Sequence, residues 1–496
     1  MRPALSRNVA ASVLNAAAVV SISLVTVPLI LDAVGTAGYG VWTLGLALIL
    51  YASILETGLG PAVQRFTAFA RGGGHVTALT QLGWTTLALY LAGGLLGGAL
   101  LTLLAPVLVD LFDLPARLDA DAETMFRLLG GALALALLAA GMGNLLQGLE
   151  RFGTLALSAA AGALAFLAGV IVLAEPEGLP GLAIAMCIGQ GVTLLVRASA
   201  VRGATFNGRP SLLPRAEVRR VIGFSARLQL SVLSELVNWQ SDKLVVGLVA
   251  PAATVGQLGI GAQFADGGRL LSGAALSPVQ SSFALAAGAG DEEGLRRRFA
   301  ELHRLWVLGV LGAGVIGAAS LPPLIEAWLG AGYGEAALLG AFLVLGSAAG
   351  LSTGTGVAYL RAIGRPGLEA RMGPLIVAAN LALTIPLAFA AGALGVVVGT
   401  LGAYLIGASW FFRRLHRHVP ATPARNAADA ATALAAALLA AAASAGFGLA
   451  AVALLPGRAA LPVVALGVAC ALLAYAAVLL RVVPTPARLR RALAVA

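Results

Sequence analysis

MRPALSRNVAASVLNAAAVVSISLVTVPLIL, residues 1–31, decides the class of this chain. It opens with two arginines and runs into an apolar stretch, as a secretory leader does. That stretch is about 20 residues long, against roughly 7–15 for a leader's apolar core, and a helix of that length crosses the hydrocarbon of a bilayer. More such stretches follow, so it reads as the first span of a series. The same ruler gives spans near 9–32, 39–63, 78–109, 125–147, 154–174 and 180–201. It continues with 221–249, 253–285, 305–328, 336–360, 372–391, 393–412, 429–453 and 460–481. The expected fold is an all-α polytopic membrane protein of about fourteen transmembrane helices.

Composition agrees with that class. The 496 residues are 59% hydrophobic and 11% charged, with a mean hydropathy of +0.93. A soluble domain carries roughly 25% charged residues, and a chain this size could not cover a water-facing surface with so few polar groups. The net charge is +10, and Lys243 is the sole lysine. A nucleic-acid module would gather its cations on one face with aromatics between them. Here the arginines sit in short patches between apolar runs, so no nucleic-acid partner is expected.

Those patches orient the chain. With the N-terminus in the cytoplasm, alternate connections hold Arg2, Arg7, Arg65, Arg71, Arg151, Arg202, Arg219, Arg296, Arg304, Arg371, Arg414, Arg425 and Arg490, among others. The opposite side keeps only Arg117, Arg127 and Arg458, beside Asp113, Asp119, Asp121, Glu123, Glu175 and Glu177. The excess of cations marks the cytoplasmic face, so both termini are expected there, in a multi-pass protein of the cytoplasmic membrane.

The longest polar connection, RGATFNGRPSLLPRAEVR at 202–219, reads as a linker between halves. An ungapped shift of 216 positions lays 38–74 on 254–290, placing Gly40 on Gly256, Gly45 on Gly261, Val63 on Val279 and Gln64 on Gln280. The expected organisation is a six-helix bundle at 1–201, the linker 202–219, a second and parallel-related six-helix bundle at 220–412, and two additional helices with a tail at 413–496. Two related bundles around a central cavity form a recurrent transporter plan.

Charged and polar side chains inside a span are costly and mark sites. In span seven Arg227, Ser231, Ser234, Glu235, Asn238, Ser241 and Asp242 recur at three- and four-residue steps, which puts them on one helix face. Two readings stand: a helix lining a wet cavity, or an internal polar network joining helices. Glu56, Gln64 and Arg65 in span two are weaker candidates for the same cavity. Asp266 and Arg269 are three apart and could pair locally. Asn15, Asn144, Gln147 and Asn380 are expected to join helices.

Other chemistries find no support. Cys187 and Cys470 lie far apart in apolar segments, and His75, His303, His416 and His418 have no acidic or thiol partner at ligand spacing, so no metal is expected. No phosphate-cradling GxxxxGK[ST] or HExxH occurs, and no large extramembrane domain is left to hold an active site. No enzyme activity and no cofactor are expected.

Four stretches carry a family resemblance. They are VPLILDAVGTAGYGVWTL, LETGLGPAVQRF, NWQSDKLVVGLVAPAATVGQLGIG and YLRAIGRPGLEARMGPLIVAANLALTIPLAFAAGALGVVVGTL. Through them the chain resembles the lipid-linked oligosaccharide and polysaccharide flippases of the multidrug/oligosaccharidyl-lipid/polysaccharide exporter superfamily. The acidic residue that such proteins often carry ahead of Gly-Leu-Gly stands here as Glu56-Thr57-Gly58. The resemblance implies translocation of an undecaprenyl-linked or similar glycan precursor by alternating access. Arg227 would then meet a phosphate, and Glu235 and Asn238 would meet sugar hydroxyls. Membrane lipids are implied partners. The last two helices could hold a prenyl tail or dock a glycan synthase or polymerase. The rival readings are a drug or cation antiporter on the same plan and a non-transporting scaffold of a glycan-assembly complex.

Overall fold

The computed structural model describes residues 3–483, apart from 53, 74, 207–208, 289, 291, 366, 418–422 and 456. Every regular element among them is helical: α1 (Pro3–Ala52), α2 (Ile54–Gly72), α3 (Val76–Leu111), α4 (Asp119–Gly148), α5 (Phe152–Thr205), α6 (Arg215–Val249), α7 (Ala252–Gly288), α8 (Glu292–Leu329), α9 (Gly334–Leu351), α10 (Gly354–Ala362), α11 (Gly367–Leu415), α12 (Pro423–Leu454) and α13 (Ala460–Val482). Among the described residues, nine helical segments are long and apolar enough to cross a membrane, as befits a multi-pass membrane protein. Helices α6 and α7 cover the expected spans seven and eight at 35 and 37 residues and are not among the nine.

Three helices are too long to be single passes. Helix α5 has 54 residues, which would reach about 80 Å at 1.5 Å per residue, against roughly 30 Å of hydrocarbon. It breaks at Gly178 (φ 58, ψ −132). Helix α11 breaks at Ala391 and Gly392, the latter at φ 58, ψ −138, and α1 breaks at Gly35 (φ 68, ψ 177). A positive φ of this kind is open to glycine at little cost and strains side chains with a Cβ. The three breaks fall in the expected gaps between spans one and two, five and six, and eleven and twelve.

Two of these turns are copies of each other. The backbone angles at Gly178 return 214 positions later at Gly392. Three residues after each comes a second glycine packed on the incoming limb. A Cβ on Gly181 would stand 2.1 Å from the carbonyl oxygen of Leu173, and one on Gly395 would stand 1.9 Å from that of Leu387. The same reversal is thus built twice, with corresponding residues in corresponding places.

The chain divides into two compact units, Ala17–Gly256 and Gln257–Ala496 with Met1–Ala16. In the first, α4 is the central helix, packed between α3 and α5. Met125, Phe126, Leu129, Leu133, Leu145 and Leu146 along it are fully buried. Tyr90 of α3 accepts a hydrogen bond from Asn144 Nδ2 at 3.0 Å, and Arg197 near the end of α5 donates to Ser158 Oγ and to the Ala139 carbonyl. In the second unit α8 is the hub, packed against α9, α12 and α13. Ser320 and Ser444 share a hydrogen bond of 2.9 Å between α8 and α12, and Tyr475 of α13 donates to the Leu308 carbonyl at 2.7 Å. Phe283, Phe299, Tyr359 and Phe411 form an aromatic core in this unit.

Candidate functional site

Helix α6 follows Pro214, whose φ of −53 suits the residue ahead of a helix, and stops where Ala250 turns extended (φ −140, ψ 156) before Pro251. Proline lacks the amide needed to continue the ladder. Within this helix the polar positions recur as Ser234, Asn238, Ser241 and Asp242, and all four are buried, at 8%, 6%, 6% and 5% exposure. On the opposite face Trp239 is partly exposed. The polar face therefore points into protein.

What these side chains meet there is uneven. Gln240 is buried and accepts a hydrogen bond from Lys243 Nζ at 3.1 Å. Asn238 Oδ1 and Ser241 Oγ are both buried yet meet no hydrogen-bond partner among the described residues. A buried acceptor without a donor costs roughly 1–3 kcal/mol, and native proteins carry few of them. Two on neighbouring turns of one helix face make a surface ready to bind something polar.

Helix α2, with Glu56, Gln64 and Arg65, packs beside α6 in the same unit. Gln64 is half-buried and Arg65 is exposed. The Gln64 carbonyl lies against Gly148 of α4. The side chains of Glu56, Arg227, Ser231 and Glu235 lie outside the described residues. Of the expected site, then, Asn238 and Asp242 stand on one buried face with Ser234 and Ser241.

In the second unit, Arg269 holds a site of its own kind. Its Nε donates to Ser347 Oγ at 3.2 Å and an Nη to the Tyr404 hydroxyl at 3.0 Å, with the guanidinium 5.7 Å from the Tyr404 ring centre. Sequence spacing offers Asp266 as its neighbour, whereas these partners come from α9 and α11. They are 78 and 135 residues away, so no local pattern announces them. Among the described residues no three His, Cys, Asp or Glu side chains gather as metal ligands.

A family model described as "Polysaccharide biosynthesis protein" matches residues 5–283. No curated protein gives a significant match. Among solved structures, the lipid II flippase MurJ in an inward closed conformation is similar at a TM-score of 0.70 and 15% identity, over 94% of this chain and 99% of that one. An inward-facing multidrug resistance MATE family transporter of the MOP superfamily is similar at 0.67 and 14% identity, over 81% and 96%. The eukaryotic MATE transporter AtDTX14 gives 0.52 and 13%, over 84% and 99%. The fold is the one these transporters share.

Proposed function

The chain belongs to the polysaccharide biosynthesis protein family, and from that premise we propose that it is a flippase, not an enzyme. It moves a lipid-linked oligosaccharide of undecaprenyl type, or a similar glycan precursor, from the inner to the outer leaflet of the cytoplasmic membrane. A sugar–pyrophosphate headgroup cannot enter hydrocarbon, and a protected polar path removes that barrier. The observation that carries the reading is the α6 face, where Asn238 Oδ1 and Ser241 Oγ are buried with no hydrogen-bond partner among the described residues. Sugar hydroxyls donate to such acceptors. The fold supports the reading, because its likeness to a protein named lipid II flippase extends over 94% of this chain.

The finer architecture belongs to the same proposal. It has about fourteen passes with both termini cytoplasmic, bundles at 1–201 and 220–412 joined by 202–219, and two further helices at 413–496. Translocation proceeds by alternating access, the stripe on α6 turning from one leaflet to the other. Arg227, Ser231 and Glu235 extend the stripe toward the cytoplasm, with Arg227 suited to a phosphate through its planar fork of donors. Glu56, Gln64 and Arg65 on α2 are assigned to the same path. A glycan synthase or polymerase is the partner class that the last two helices would dock.

The test is leaflet exchange. Purified protein is reconstituted in liposomes with a fluorescent undecaprenyl-pyrophosphate oligosaccharide, and movement is compared with a variant carrying Arg227→Leu, Glu235→Leu and Asn238→Leu. Protein-dependent movement that disappears in the variant supports both flippase and site. Movement that persists retains the flippase and removes the site. A second reading, a drug or cation antiporter, draws on the MATE likeness and on the buried carboxylate of Asp242. It predicts cation-coupled drug flux and no glycan movement from the same liposomes.

A further inference from the structure

The limb of α11 that leaves the break at Gly392 carries two chemistries on one face. Leu394, Val398, Leu405 and Ile406 are exposed, while Val396, Thr400, Phe411 and Leu415 are buried. At 3.6 residues per turn the exposed four fall within about 120° of arc, the strip this limb turns to lipid. Ser409 and Arg413 continue the strip, and Arg414, His416 and Arg417 stand at its end, all of them exposed. Trp410 is half-buried beside them, with the Arg414 guanidinium 5.6 Å from the centre of its ring. The face thus passes from aliphatic side chains through an indole to guanidinium groups, the order in which a leaflet passes from hydrocarbon to headgroup.

Cations at a cytoplasmic helix end are ordinary, but these are confined to one of two copies. The 214-position step that pairs Gly178 with Gly392 sets Val196, Ser199, Ala200 and Gly203 of α5 opposite Trp410, Arg413, Arg414 and Arg417. On that limb of α5, Arg197 is turned inward to Ser158 and the Ala139 carbonyl, and Arg202, opposite His416, is the one exposed cation. Charge placed only to fix topology has no reason to gather on one copy and leave the other. Nor are the guanidinium groups engaged at home. Among the described residues no carboxylate pairs with Arg413, Arg414 or Arg417, and Glu369 at the start of the incoming limb is held by Arg361 Nε at 2.8 Å.

We propose that this end of α11 is a binding site for an anionic phospholipid of the cytoplasmic leaflet. Arg413 and Arg417 hold the phosphate through their forks of donors. Trp410, backed by Arg414, packs against the glycerol level, and the acyl chains lie along Leu405 and Ile406. The site is independent of what the protein carries across the membrane.

The purified full chain in neutral-detergent micelles is titrated with tail-brominated phosphatidylglycerol and, separately, with tail-brominated phosphatidylcholine, and quenching of tryptophan fluorescence is followed. Phosphatidylglycerol should give a saturable quench at low concentration that phosphatidylcholine does not. The chain has 6 tryptophans, and that quench should vanish in Trp410→Phe alone. Arg413→Gln with Arg417→Gln should raise the half-quenching concentration about thirtyfold, the loss of two cations' attraction for anionic headgroups. Both side chains are exposed, so the variant keeps its packing. Arg209→Gln with Arg215→Gln removes two exposed cations of the first unit and should change nothing. Excess inorganic phosphate should not displace the lipid. Equal quenching by the two lipids, or equal losses from the two arginine pairs, reduces the patch to general cytoplasmic charge and overturns the site. A saturable quench that survives Trp410→Phe puts the lipid elsewhere, and displacement by phosphate makes this a site for soluble anions. Either result overturns the proposal as well.

Discussion

Asn238 gives a sharp test at the level of one side chain, because its acceptor is buried and unmatched among the described residues. A residue kept for structure loses stability when truncated. A residue kept for a ligand holds a polar atom at a cost, and an apolar isostere relieves that cost. Asn238→Leu is therefore expected to leave thermal stability in detergent unchanged or raise it by up to about 1 kcal/mol, while flipping slows by up to about tenfold. Asn144 is the contrast. It is buried too, but it donates to Tyr90 at 3.0 Å, so Asn144→Leu should cost about 0.6 kcal/mol, and at most about 1.7, as interhelical membrane hydrogen bonds do. Transport per folded molecule should not change. If Asn238→Leu behaves like Asn144→Leu, the α6 stripe is a packing network and no binding face. The two asparagines look alike in sequence, since each is a polar residue in an apolar run. Only the partner across the helix interface separates them, and Tyr90 lies 54 residues from Asn144. Two partners of Arg269 eluded sequence reading for the same reason, Ser347 and Tyr404 arriving from other helices.

At the scale of the element, the paired reversals in α5 and α11 make a prediction that needs no function. Gly181 and Gly395 face the carbonyls of Leu173 and Leu387 at near-identical distances. Gly181→Ala and Gly395→Ala should thus destabilise by similar amounts, on the order of 1–3 kcal/mol for overpacking. A Cβ on Gly131 of α4 would meet only Cys187 Sγ, at 4.0 Å. Gly131→Ala should therefore be neutral or gain up to about 1 kcal/mol of helix propensity. Denaturant titration of the three variants checks both claims, and a tolerated Gly181→Ala would mean the hairpin is held elsewhere. The breaks at Gly35, Gly178 and Gly392 were legible, because apolar runs too long for one pass must turn. The duplication was legible only in its front part. There the step is 216 positions, but at the reversals it is 214, so an ungapped comparison loses register. Packing also repeats where identity does not: Gly162 receives Thr193, while at the corresponding positions Ile376 fills the space over Gly407. Small and large residues have changed sides of the same joint.

For the whole molecule, sidedness rests on charge, and charge alone leaves one pair of passes open. Helices α6 and α7 form a hairpin, so including or removing both leaves every other connection on its expected face. Neither is among the nine segments that are long and apolar enough to cross a membrane among the described residues. Hydropathy misses them because the residues that make α6 useful make it polar: Ser234, Asn238, Ser241 and Asp242 are buried in protein and never touch lipid, so their cost is not the cost of hydrocarbon. On that argument the hairpin is expected to cross fully, with its elbow at the extracytoplasmic face. Pro251 is exposed at that elbow. In a chain with Cys187→Ser and Cys470→Ser, Pro251→Cys should label from outside intact cells with an impermeant maleimide, as should Arg117→Cys and Arg458→Cys, while Arg209→Cys should label only after the membrane is opened. If Pro251→Cys follows Arg209→Cys instead, α6 and α7 form a re-entrant pair and the count falls to twelve passes. The α6 stripe would then open to one side only, and alternating access through it would fail on topology before any glycan was tested.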